Sequence, residues 1–326
     1  MYTIIFSEEN DFSTNDVIEW LEYYNQKVIR TDFDSLLNTE FNVKISENGN
    51  DFSCIINNKR VTRLNLKSLW YRRTVPFILD KYVKNNTVVT EFETGVLQNL
   101  FNELKYAKNS FYNATFKDKK WLNNPLNSVI DKTECLFAAQ SVGLLIPETI
   151  ITNKKSELKS FFVKNKDVII KPIYNVSRLS VQKYSYLQYT YRLDKKKLNS
   201  LSESIFPSLC QKMIKKDFEL RIFFLEGKFY SMAMFTQNKK KTKIDFRRYD
   251  YIDPNRTVPY KLPKELEDKL NKLMNIVGLN CGSIDIIKDV NGLYYFLEIN
   301  PVGQFGMTSS PCNYYLEKKV AKFLIE

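Results

Sequence analysis

The chain has 326 residues, 44% hydrophobic and 14% aromatic, enough to bury a large core and to form two or three domains. Its formal net charge of +12 implies acidic partners, and the complete absence of histidine excludes a His-based triad, a His metal site and an imidazole base. No apolar run is long enough to span a bilayer, and Met1 to Glu9 lacks a basic stretch followed by an apolar one, so neither a membrane span nor a secretory signal is expected and the cytoplasm is the expected location.

Residues 2–6 read as a strand, and Val17, Trp20, Leu21 and Tyr24 lie at helical spacing before a second strand at Val28 to Arg30. Residues 51–71 give two apolar stretches around an Asn57-Asn58 turn, ending in Leu69-Trp70-Tyr71-Arg72-Arg73, and a long helix is predicted over about Glu91 to Leu104. An N-terminal α/β domain, 1–123, ends where Asn124-Pro125 breaks the pattern. A central domain, 124–208, follows with a helix from Ser128 to Val142 closed by Gly143, a strand at Thr149 to Thr152, a helix after Ser156 and the strand Val168 to Pro172. The third domain, 209–326, carries hairpins turning at Glu226-Gly227 and Asn291-Gly292. The fold class is α+β. The five cysteines are far apart with no CxxC pair, which speaks for reduced, structural thiols.

Asn-Gly between alternating strands favours a two-residue turn, pairing Val290 with Leu293 and setting Asp285 opposite Glu298. Asn300 then lies beside Glu298, while Ile284, Ile286, Leu297 and Ile299 point together into the core. Two carboxylates with Cβ atoms roughly 5 Å apart repel unless a cation separates them. Two anionic ligands and one amide, all oxygen, suit Mg²⁺ that keeps phosphate oxygens as its other ligands. The alternative is an exposed sheet face on which each acid finds a lysine. Lys171 ends an apolar strand, where an ammonium calls for an anionic partner or snorkels to water. Lys132, on a helix in so basic a chain, reads by itself as solvated.

The order is more telling than any one residue: Lys132, Lys171 in VIIKP, a Gln-x-x-Ile segment, an acid-x-Arg strand, the paired carboxylates and LEINPVGQF. From about residue 128 to 306 this resembles the ATP-grasp superfamily. The resemblance implies two α+β domains clamping ATP, with Lys132 and Lys171 on phosphate, Gln211, Lys212 and Ile214 in the adenine linker, Glu219 on ribose, and Asp285, Glu298 and Asn300 on Mg²⁺. Arg221 would then stabilise the transferred phosphoryl group or the acyl phosphate. The family's glycine-rich phosphate flap is replaced by Ile173 to Ser180, in which Arg178 is the candidate phosphate contact.

LWYRR, the Glu- and Leu-rich helix after it, and Ile244-Asp245-Phe246-Arg247-Arg248 are similar to the graspetide synthetases, the microviridin-type macrocyclases. That likeness implies a ribosomal precursor peptide, with a leader and an acidic Thr/Ser-containing core, as partner. Its Asp or Glu side chains would be activated with ATP and closed into esters by Thr or Ser hydroxyls, or into amides by Lys. Asp245 would be the base or orienter and Arg247 a clamp on the substrate carboxylate. A ligase adding a free amino acid to a peptide or protein is the alternative. A basic nucleic-acid-binding protein is the rival from another class, but the 23 Phe and 20 Tyr are spread through apolar strands rather than along one basic stripe. Neither nucleic acid nor membrane is an expected partner, and the sequence is compatible with a homodimer.

Overall fold

The computed structural model describes residues 1–31, 40–73, 91–116, 118–127, 130–174, 178–181, 184–187, 189–237 and 252–326. The chain opens with β1 (Tyr2–Ser7), α1 (Phe12–Tyr23) and β2 (Lys27–Thr31), the expected strand-helix-strand unit. Asp11 caps α1, its side chain accepting from the Thr14 N–H. Next come β3 (Phe41–Ser46), β4 (Gly49–Ile56), β5 (Lys59–Thr62) and β6 (Leu66–Arg73). Asn57 and Asn58 both take positive φ between β4 and β5, as a tight hairpin turn requires. Helix α2 (Glu91–Phe116) runs a dozen residues beyond its predicted end, because Phe111, Tyr112 and Thr115 are buried by the sheet it crosses. With β7 (Lys120–Leu122) a parallel sheet forms in the order β2-β1-β6-β7.

Helix α3 (Lys132–Ser141) has Asp131 as its N-cap, accepting from Thr133 and Glu134 N–H, and Gly143 closes it at φ +75°. Its residues Cys135, Leu136 and Ala139 pack into the core of the C-terminal sheet. The central sheet, β12-β9-β13-β8, is built from β8 (Thr149–Lys154), α4 (Lys155–Asn165) on its face, β9 (Val168–Lys171), β12 (Tyr191–Leu193), α5 (Lys195–Ser200) and β13 (Ser204–Lys212). A separate hairpin, β10 (Arg178–Val181) with β11 (Tyr184–Leu187), projects between β9 and β12 in the chain. The division expected after residue 208 falls inside β13, which continues in the same sheet to Lys212.

The C-terminal sheet, β16-β15-β14-β17-β18, comprises β14 (Lys216–Leu225), β15 (Lys228–Phe235), β16 (Arg256–Tyr260), β17 (Cys281–Asp289) and β18 (Tyr294–Asn300). Helix α6 (Lys264–Ile276) buries Leu266, Leu270, Leu273 and Met274 on one of its faces. The chain ends with α7 (Gly306–Cys312) and α8 (Leu316–Ile325). A shared core holds Ile5 and Trp70 of the N-terminal sheet and Val17 of α1 with Phe223, Cys281 and Phe305 of the C-terminal region and Val320 of α8. All five cysteines are buried and free, and burial pushes the Cys54 thiol up to about 12. Among the described residues, no helix is long and apolar enough to cross a membrane.

Candidate functional site

One cleft lies between the central and C-terminal sheets, and the period-2 alternation of four strands aims the candidate residues into it. On β9 and β13, Val168, Ile170 and Cys210 point into the core beneath α4, so Ile169, Lys171 and Gln211 face the cleft. On β14 and β17, Leu220, Ile222, Ile284 and Ile286 are core residues, which leaves Glu219, Arg221, Asp285 and Ile287 on the opposite side. Lys132 reaches in from the first turn of α3, its Nζ donating to the Pro172 carbonyl at 3.1 Å and lying 3.7 Å from Glu298 Oε2. It therefore touches both sheets.

Asp285 pairs directly with Glu298, as expected, but by a different route. The turn has three residues, Val290-Asn291-Gly292, closed by the Asp289 N–H donating to Leu293 O, with Gly292 at φ +86°. Asp289 stabilises it through its carboxylate, which accepts from the N–H groups of Asn291 and Leu293. The one-residue offset this produces is undone by a β-bulge: Ile286 pairs with Phe296 and Asp285 with Glu298, leaving Leu297 extra. Leu297, expected in the core, lines the cleft instead, and Phe296 takes the core position.

Asp285 is buried and pinned to Arg221, whose Nη1 donates to Oδ1 at 2.8 Å and to Oδ2 at 2.7 Å. Burial raises the Asp285 pKa to about 6, with Glu298 and Glu219 pushing the same way and Arg221 opposing. Glu219 accepts from Lys216 Nζ and from Thr236 Oγ1, the latter at 3.0 Å. Gln211 donates from Nε2 to Thr149 Oγ1 at 2.9 Å, and its buried Oε1 has no hydrogen-bond partner among the described residues. Lys212 and Ile214 stand at the same wall, with Ile169, Ile287 and Leu297 supplying apolar surface. Asn300 lies opposite Ser283, two residues beyond Glu298, and its Oδ1 accepts from the Val302 N–H at 3.1 Å.

The donors fit a hard cation. Two carboxylates and one amide oxygen, with no sulfur or imidazole, match the oxygen preference of Mg²⁺. Among the described residues no cluster of three or more His, Cys, Asp or Glu could hold a metal, so an ion here would need Asn300 and oxygens of a substrate to complete its shell. Arg178 opens β10 opposite Leu187. Asp245 and Arg247 lie outside the described residues. Lys216 and Thr236, which hold Glu219, were not singled out from sequence, and neither was the apolar wall; alternation next to Lys171 and Asp285 is the signal that would have found Ile169 and Ile287.

The model of the prokaryotic glutathione synthetase ATP-grasp domain matches residues 134–302, a span holding every described candidate except Lys132. The chain belongs to the ATP-grasp family. Among solved structures, this ATP-grasp chain is similar to a RiPP-associated ATP-grasp ligase of Chryseobacterium gregarium in complex with ADP and a leader and core peptide. The two are 24% identical, the match covers 99% of this chain and 94% of that one, and the TM-score is 0.79. Macrocyclase MdnC of Microcystis aeruginosa MRC, bound with precursor peptide MdnA, is 22% identical over 99% of both chains with a TM-score of 0.76. The ATP-grasp ligase PsnB, complexed with a phosphomimetic variant of minimal precursor, Mg and ADP, is 19% identical, with 99% and 97% covered and a TM-score of 0.74. These likenesses extend the shared fold over the N-terminal region as well. No curated protein matches the chain at the level of sequence.

Proposed function

We propose that this chain is an ATP- and Mg²⁺-dependent peptide macrocyclase, acting in the cytoplasm on a ribosomal precursor peptide with a leader and an acidic, Thr/Ser-containing core. The observation that carries the reading is the pairing of Asp285 with Glu298 in the same cleft as Lys132 and Lys171. Its support is full-length fold likeness to ligases whose structures hold ADP and precursor peptides.

In this reading Lys132 and Lys171 hold the α and β phosphates by charge-assisted hydrogen bonds. Adenine lies against Ile169, Ile287 and Leu297, beside Gln211 to Ile214, where the unmatched Gln211 Oε1 is an acceptor for its amino group. Glu219 takes the ribose hydroxyls. Asp285, Glu298 and Asn300 would hold Mg²⁺, which when bound supplies charge neutralisation between the β and γ phosphates. A substrate carboxylate oxygen, clamped by Arg247, attacks the γ-phosphorus; the bond to the β-phosphate oxygen breaks and ADP leaves. A Thr or Ser hydroxyl of the same peptide, its proton taken with the help of Asp245, then attacks the acyl carbon and expels phosphate. Tethering both groups in one peptide raises their effective concentration above that of a free nucleophile. Arg178 covers the phosphates from the β10–β11 hairpin. Arg221 bonds to Asp285, and in this reading it also meets developing charge on the transferred group. We place the unit boundaries after residue 123 and after Lys212, since β13 belongs wholly to the central sheet.

The test is to incubate the protein with ATP, Mg²⁺ and a short acidic peptide containing Thr and Ser, taken from a neighbouring reading frame that encodes one, and to weigh the peptide. Each bond formed removes one water mass, and mild base restores the linear mass. A product heavier by an amino-acid residue makes this a terminal ligase, and a base-stable dehydrated product means amide cross-links.

A further inference from the structure

The strand that carries Glu298 and Asn300 runs straight into a tight turn, Asn300-Pro301-Val302-Gly303. Its Gly303 N–H donates to the Asn300 carbonyl at 3.1 Å, and its Val302 N–H donates to Asn300 Oδ1 at 3.1 Å. The second bond decides which way the Asn300 side-chain oxygen points, and it is only as well placed as residue 302. Residues 302 and 303 are held in turn from the N-terminal sheet. Arg72, 230 positions earlier on β6, donates from Nη1 to Val302 O at 2.6 Å and to Gly303 O at 2.9 Å.

Arg72 is 2% exposed, its Nε lies 3.3 Å from Asp11 Oδ2, and its guanidinium carbon sits 5.2 Å from the centre of the Phe305 ring. Burying a cation this deeply is costly unless its donors are matched, so the site demands a side chain that can serve a carboxylate, two carbonyls and a ring face together. A planar guanidinium does this and an ammonium cannot. A junction that served only to glue two units together would need apolar contact, which Trp70, Phe223 and Phe305 already provide. What Arg72 adds is a direction for the turn.

We infer that Arg72 is a positioning residue for the metal site, holding the 300–303 turn so that Asn300 Oδ1 keeps its remaining lone pair toward an ion shared with Asp285 and Glu298. The inference rests on the ligase reading above. Arg72 bonds to the turn and not to Asp285, Glu298 or the Asn300 side chain, so its effect on the ion is routed through Asn300. Through it, the N-terminal unit and the metal site are coupled.

The experiment is calorimetric titration of the full chain with ADP, once in EDTA and then over a series of Mg²⁺ concentrations, with a thermal melt of each variant. Arg72→Lys weakens the Mg²⁺ dependence roughly 10–100-fold, the range typical of partners that orient metal ligands, and leaves ADP affinity in EDTA unchanged. In an Asn300→Ala background Arg72→Lys weakens Mg²⁺ dependence no further, because the two lie on one chain of contacts. Asp11→Asn, which keeps Arg72 but removes its carboxylate, shifts Mg²⁺ dependence in the same direction and carries the test if Arg72→Lys does not fold. A lower melting temperature with unaltered Mg²⁺ dependence, or an equal further loss in the Asn300→Ala background, would overturn the inference and leave the ligase reading standing. A wild type whose ADP affinity ignores Mg²⁺ overturns the ligase reading and this inference together.

Discussion

Arg221 gives both of its bonds to Asp285 from one nitrogen, at 2.8 and 2.7 Å, with the side chains only 5% and 10% exposed. Glu298 faces the same carboxylate across the neighbouring strand pair. Asp285 thus has a cation on one side and an anion on the other, so neutralising Asp285 and neutralising Glu298 have different consequences.

Asp285→Asn leaves a buried guanidinium without its counter-charge, and breaking such a pair costs about 3 kcal/mol. Glu298→Gln removes the repulsion and, with it, the 3.7 Å ion pair to Lys132, so the two effects offset and the metal-free protein melts near the wild-type temperature. Both variants abolish Mg²⁺-dependent ATP turnover. The check is to compare melting in EDTA with ADP release at saturating Mg²⁺. Equal melting temperatures for the two variants would mean that Arg221 does not depend on Asp285 for its charge balance.

The raised pKa of Asp285, about 6, gives the pH dependence a definite sign. Its unfolded value is about 3.9, so between roughly pH 4 and 6 the folded state binds more protons than the unfolded one, and this group's contribution to stability falls as pH rises through that window. Mg²⁺ requires the ionised carboxylate, so ion binding releases protons and weakens as pH falls below about 6. Titrations of the ADP-bound protein with Mg²⁺ at pH 5.5 and 7.5, in buffers of different ionisation enthalpy, should show proton release only at the lower pH. Glu298→Gln removes one of the groups that raise Asp285 and moves the transition to lower pH.

Gly303 takes φ +64°, and a Cβ there would lie 3.1 Å from Cys281 Sγ and 3.3 Å from the Phe223 ring. Gly303→Ala therefore meets both a strained backbone and close neighbours, at a cost of about 1–2 kcal/mol from the left-handed conformation alone. Because residue 303 closes the Asn300 turn, Mg²⁺ dependence weakens along with stability. Gly292→Ala, at φ +86° with open space around its Cβ position, carries the conformational cost while its distance from Asn300 leaves Mg²⁺ dependence alone. Urea melts and Mg²⁺ titrations of the two variants separate the effects.

Much of this site was legible because strand alternation is rigid. Once Val168 and Ile170 are core residues, Lys171 must face the other way, and once Ile284 and Ile286 are buried, so must Asp285. Arg72 was not legible: its partners lie 230 positions away, and no local period announces a carbonyl that distant. The far end of α2 was missed for a related reason, since Asn109 and Ser110 are weak helix formers and burial of Phe111 and Tyr112 overrides them. The hairpin was read correctly at Asp285 and Glu298 through two errors of one residue, in the turn and in the strand, which cancel.

That cancellation can be tested by deletion. In a regular strand, removing one residue turns every later side chain to the opposite face. Leu297 is the extra residue of a bulge, so its removal should leave Phe296 in the core and Glu298 still opposite Asp285, merely making the ladder regular. What is lost is the side chain itself, one of four aliphatic residues, with Ile169, Ile214 and Ile287, on the proposed adenine wall. The deletion should therefore fold, keep the Mg²⁺ dependence of ADP binding, and bind ADP about tenfold more weakly, in keeping with the loss of one largely buried aliphatic contact. Leu297→Ala should reproduce the affinity loss without touching the ladder. Deleting Tyr295, which is paired with Ile287, should instead turn Phe296 out of the core and bring Leu297 into its place, lowering the melting temperature by far more than deletion of Leu297. If deletion of Leu297 proves as damaging as deletion of Tyr295, the residue is part of the ladder and the bulge is misplaced.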